Sequence, residues 1–119
     1  MPDIETNSVS PGGQYSLLIA AREMRMSHWL EMPKLVSTHD QQTIFDLWDS
    51  WWSLDDITWD TAATCSLTLR RYPGDHTPSY VIVHVDCEDL HFSIGAGQRM
   101  EIRQLKDALE QHYQHIKSR

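Results

Sequence analysis

The chain has 119 residues, 40% hydrophobic and 23% charged, the size and balance of one globular domain. Its 17 acids outnumber 10 bases for a formal charge of −7, which argues against the basic footprint that general nucleic-acid binding requires. The longest apolar run, LLIAA at 17–21, is far too short to cross a membrane.

The opening residues, MPDIETNSVSPGGQ, are acidic and polar. They lack the basic start and apolar stretch of a secretion signal, so the cytoplasm is the default expectation. Residues 1–13 read as a flexible arm ending in Ser10-Pro11-Gly12-Gly13, followed by a single domain over 14–119. Within 15–30, the stretch YSLLIA suits a strand, and Met24, Met26 and His28 alternate with Arg25, Ser27 and Trp29. Two strands are expected there, with a break near Arg22-Glu23.

From about Asp40 the spacing turns helical. Ile44, Trp48 and Trp51 recur at i, i+4, i+7, Phe45 and Trp52 widen the stripe, and Asp46, Asp49 and Ser50 fall opposite. This predicts an amphipathic helix over 40–53 whose tryptophans anchor it to a sheet.

Period two then takes over. Cys65, Leu67 and Leu69 alternate with Thr64, Ser66, Thr68 and Arg70; after a turn at 73–78, Val81, Val83, Val85 and Cys87 oppose Tyr80, Ile82, His84 and Asp86. A tight turn at 87–89 leads to Leu90, Phe92 and Ile94. Such short links make an antiparallel meander, since parallel neighbours need a long crossover. Ile102, Leu105, Leu109, Tyr113 and Ile116 mark a closing helix. The expected fold is α+β: an antiparallel sheet of about five strands with two helices, in the order β-β-α-β-β-β-α.

No motif fixes a reaction. Cys65 and Cys87 lack CxxC spacing and lie in apolar alternating segments, which reads as buried free thiols. His84 and His91, and His112 and His115, match no metal-ligand spacing, and HExxH is absent. Neither a metal nor a cofactor is expected. The pairs Asp55/Asp56 and Glu88/Asp89 are adjacent in sequence, the mark of solvated turns, whereas acid–base work needs carboxylates in separate environments. GxSxG is absent, and Gly95 and Gly97 are accounted for by a strand-to-helix turn. The chain is therefore expected not to be an enzyme.

The informative bias is electrostatic. Between 35 and 69 there is no Lys or Arg, while Asp40, Asp46, Asp49, Asp55, Asp56 and Asp60 all fall there. A one-signed region speeds encounter with a cationic partner. Trp59 lies outside the helical stripe among carboxylates, where a tryptophan serves as an interface anchor. Asp46, Asp49, Asp55, Asp56, Trp59 and Asp60 are thus the candidate partner-binding residues, for a basic protein and not for nucleic acid or membrane.

The segments TIFDLWDSWW (43–52), ATCSLTLRRY (63–72), YVIVHVDCEDLHFSI (80–94) and IRQLKDALEQHY (102–113) together resemble small bacterial immunity-like proteins of the WapI type. The resemblance is one of element pattern and transfers no functional residue. It implies a cytoplasmic protein that binds and neutralises a toxin. A phage-encoded inhibitor of a nucleic-acid-binding defence complex fits the same surface chemistry. A self-associating adaptor, pairing as a homodimer through a sheet edge or the N-terminal β pair, is the alternative from another class.

Overall fold

The computed structural model describes residues 3–23, 29–72 and 80–117, with the side chains of 3, 116 and 117 left undescribed. Two antiparallel sheets and one C-terminal helix make up these residues. The first sheet has the order β1 (Asp3–Val9), β2 (Tyr15–Glu23), β3 (Trp29–Ser37), β4 (Thr43–Asp46). The second has the order β5 (Trp52–Trp59), β6 (Thr64–Arg71), β7 (Tyr80–Asp86), β8 (His91–Ile94), β9 (Met100–Glu101). A 3-10 turn at Ile102–Gln104 leads into α1 (Leu105–Lys117).

The antiparallel meander over β6 to β8 and the closing helix match the sequence pattern. The first strand expected after residue 14 forms as β2 and ends at Glu23, near the expected break, whereas β3 begins only at Trp29 and runs on to Ser37. The turn expected at 73–78, and Met24, Met26 and His28, lie outside the described residues.

Three expectations are corrected. The described strands form two sheets, of four and five strands, with one helix, in place of a single sheet of about five strands with two helices in the order β-β-α-β-β-β-α. Residues 40–53 do not form a helix: they make β4, a turn over 47–51 and the start of β5. The turn has its own chemistry. Asp46 Oδ1 accepts the Trp48 N–H at 2.9 Å. Ser50 Oγ donates to the Leu47 carbonyl at 2.7 Å and accepts the Trp52 N–H at 3.2 Å. Asp and Ser side chains that bond their own backbone favour a turn over a helix interior. The residues read as an arm instead hold β1, paired with β2 from Asp3↔Ala21 to Val9↔Ser16. The Ser10–Gly13 stretch is the hairpin turn between them: the Gly13 N–H donates to the Ser10 carbonyl at 2.8 Å, and Gly13 takes a φ of 75° that glycine adopts without strain.

The sheets share one core. β5 starts beside β3, where the Glu31 N–H donates to Ser53 Oγ at 3.0 Å, and ends beside β1, where Trp59 Nε1 donates to Ser8 Oγ at 2.9 Å. It therefore crosses from the β3 side of the first sheet to the β1 side. Leu17, Ile19, Leu35 and Phe45 of the first sheet meet Trp52, Leu54, Cys65, Leu67, Leu69, Val83, Val85 and Phe92 of the second, and Leu105 and Leu109 of α1 close the core. Ala20, Leu30 and Met32 form a separate cluster, covered by Trp48 and Tyr72. Among the described residues no helix is long and apolar enough to cross a membrane.

Candidate functional site

The second sheet turns its polar positions outward. In β6, Thr64, Ser66, Thr68 and Arg70 alternate with buried Cys65, Leu67 and Leu69; in β7, Tyr80, Ile82 and His84 alternate with buried Val81, Val83 and Val85. Cross-strand register then sets Ser66 opposite His84, His84 opposite Ser93, and Asp86 opposite His91. His84, Asp86, His91 and Ser93, with Asp60 and Arg99, line an open cleft of about 270 Å³, and Ser66 lies beside it. A larger cleft of about 450 Å³ at the end of the first sheet is lined by Gly13, Gln14, Tyr15, Ser37, Thr38 and His39. Burial and the nearby Cys87 and acids push its Tyr15 hydroxyl above the usual phenol range. The smaller cleft carries more groups able to bind or exchange protons.

Its central chain runs Asp60, Ser66, His84. Ser66 Oγ donates to Asp60 Oδ2 at 2.8 Å and lies 2.9 Å from His84 Nδ1. A hydroxyl has one proton. With that proton on the carboxylate side, its lone pair faces the imidazole, and Nδ1 carries the hydrogen. In a nucleophilic serine the imidazole takes the hydroxyl proton and the carboxylate orients the imidazole. Here the serine sits between them, an order that fixes rotamers and does not activate Oγ. At the other end Arg99 lies 2.8 Å from Asp89, 3.7 Å from Asp86 and 3.3 Å from His91 Nδ1. Asp86 Oδ1 also accepts the backbone N–H groups of Glu88 and Asp89, holding the predicted tight turn.

Three of the six candidate residues share this face. Asp55 makes a forked pair with Arg70, at 3.1 Å to Nε and 2.7 Å to Nη2, which raises the Arg70 guanidinium further above its ordinary value. Asp56, just past a bulge in β5, is exposed and has no partner among the described residues. Asp60 is the acceptor for Ser66. Asp46 and Asp49 belong to the β4 end and the turn beyond it, where Asp46 lies 4.0 Å from Lys34. Trp59 is half-buried on the inner face, packed against the main core with its indole N–H used by Ser8.

The remaining tryptophans divide. Trp52 is fully buried, Trp48 covers the smaller cluster and donates from Nε1 to the Leu18 carbonyl at 3.4 Å, and Trp51 is exposed and stacked on Tyr72. Cys65 and Cys87 are free and buried, as the alternation predicts. A hydrogen bond to Cys87, with burial, pushes the Cys65 thiol far above the usual thiol range, the condition of an inert sulfur. Sequence reasoning placed His84 and His91 on solvent-side strand positions but did not join them to Ser66, Asp60 and Arg99. The signal was register, since Ser66, His84 and Ser93 occupy outward positions on three successive strands.

Among the described residues, no group of three or more His, Cys, Asp or Glu side chains is placed to hold a metal ion. Comparison with protein-family models, with curated proteins and with solved structures finds no match to this chain.

Proposed function

We propose that this chain is a small acidic, non-enzymatic binding protein that inhibits a cationic partner enzyme in the cytoplasm, in the manner of an immunity protein neutralising a basic toxin. The observation that carries the proposal is the outer face of the second sheet. Among the described residues Asp55, Asp56, Asp60, Asp86 and Asp89 lie on or beside it against Arg70 and Arg99, and Asp56 is unpaired. A partly exposed carboxylate face of this kind attracts lysine- and arginine-rich surfaces and sets the association rate more than the final affinity. The hydrogen-bond order through Ser66 supports a binding role over nucleophilic catalysis. Two reduced, buried thiols suit the cytoplasm.

The test begins with the tagged protein captured from its native cells at low salt, followed by assay of the captured enzyme with and without it. Asp56→Asn is the informative variant, because it removes a charge without releasing Arg70. Association should slow and its dependence on ionic strength should flatten. Inhibition that persists with an unchanged on-rate places the interface elsewhere; capture of a partner whose activity is untouched removes the inhibitor role.

A further inference from the structure

β1 ends the first sheet, with β2 as its only strand neighbour among the described residues, so one full edge of its backbone is open. The other ends are shorter or occupied. β4 has four residues and β9 two, and β5 is engaged at its start by the Glu31–Ser53 bond and at its end by the Trp59–Ser8 bond. An open seven-residue edge presents unpaired N–H and C=O groups to any chain able to extend the sheet.

We propose that the strand which extends it is β1 of a second copy, antiparallel about a two-fold axis at Thr6. The β1–β2 register skips Asn7, so residues of β1 meet residues of the same face across the axis: Ile4 meets Val9, Glu5 meets Ser8, and Thr6 meets Thr6. No acid faces an acid. Moving the axis to Glu5 brings the two Glu5 side chains directly opposite, a destabilising pairing. Charge therefore selects the register at Thr6. The two exposed apolar residues of the strand, Ile4 and Val9, are 56% and 49% accessible and each gains a neighbouring strand. The product is one eight-stranded sheet with isologous pairing, the form that two-fold symmetry requires.

Sedimentation equilibrium of the intact chain tests this, with circular dichroism as the control for folding. A dimer is expected at micromolar concentration. Its affinity should rise with salt, because each chain carries −7 and the two Glu5 side chains lie diagonally across the axis. Salt acts oppositely on binding to a cationic enzyme, so this contact and the inhibitor interface fail independently. Asn7 is the residue skipped by the β1–β2 register, so Asn7→Pro blocks the open edge at no cost in paired residues. Ile4→Lys is the second variant, adding charge to an exposed position of the same strand. Both should sediment as folded monomers. A wild-type monomer throughout, or a dimer that both variants leave intact, overturns the proposal.

Discussion

The two sheets bury themselves differently. The second is apolar on its inner face and polar on its outer one, so β6 and β7 read as strict alternation. The first is partly covered on both faces: Leu17 and Ile19 of β2 enter the main core, while Ala20, the next residue, joins Leu30 and Met32 beneath Trp48 and Tyr72. The central strand β2 therefore carries a near-continuous apolar run in which period two is lost. Their carboxylates differ as well. In the first sheet Asp40 and Asp46 bond to backbone N–H groups and hold turns. On the second, Asp86 holds a turn in the same way, but Asp56 has no partner among the described residues. The comparison separates residues that build the fold from residues left for contact.

The largest test of this division is Trp52 against Trp51, adjacent in sequence. Trp52→Ala empties a fully buried site packed edge-on to Tyr113, with ring centroids 6.3 Å apart, and should cost about 3–5 kcal/mol in denaturant unfolding. Trp51 is 47% exposed, and Trp51→Ala should cost less than about 1 kcal/mol. Equal losses would break the division. Trp52→Phe should cost less than Trp52→Ala, since the buried Trp52 indole N–H has no hydrogen-bond partner among the described residues and phenylalanine removes it while keeping a ring.

These tryptophans also show what was legible in the sequence. Ile44, Trp48 and Trp51 have helical spacing, yet they go to three environments: core, outer cover and surface. A strand, a tight turn and a strand reproduced a 3.6-residue period by coincidence. The competing signal was local, in Asp46 and Ser50, whose side chains bond the turn. β1 was hidden for another reason: its one-sided, solvent-rich strand has a polar composition that resembles a linker, and only the pairing to β2 distinguishes it. The C-terminal helix was legible because Ile102, Leu105 and Leu109 lie on one buried stripe. Of the candidate site, the acidic bias was legible and its division between two sheets was not, because register across strands decides which carboxylates meet.

A second adjacent pair tests the faces of β6. Arg71 is largely buried: it lies 3.2 Å from Glu110, donates to the Tyr72 carbonyl at 2.7 Å and covers the Tyr113 ring at 4.5 Å, fastening α1 to the sheet. Arg70, one residue earlier, points outward to Asp55. Arg71→Met should destabilise by about 1–3 kcal/mol, because it leaves Glu110 unpaired near the core edge. Arg70→Met should stay within about 0.5 kcal/mol, as exposed ion pairs do. Thermal unfolding of the two variants reads the difference directly.

The smallest effect separates a turn carboxylate from a contact carboxylate. The Gln42 N–H, 3.1 Å from Asp40 Oδ1, and then the Ser37 hydroxyl, hold the Asp40 carboxyl below the usual carboxylate range. A group whose folded pKa is depressed contributes stability above its unfolded pKa and loses it as pH falls through the folded value. The unfolding midpoint of Asp40→Asn should therefore lie slightly below wild type at pH 5 to 7, with the gap closing below about pH 4, near the ordinary aspartate value. Asp56→Asn should leave the unfolding midpoint at wild type and should act on association alone. A lowered midpoint for Asp56→Asn would assign that residue to the fold and remove the least compensated charge from the proposed interface.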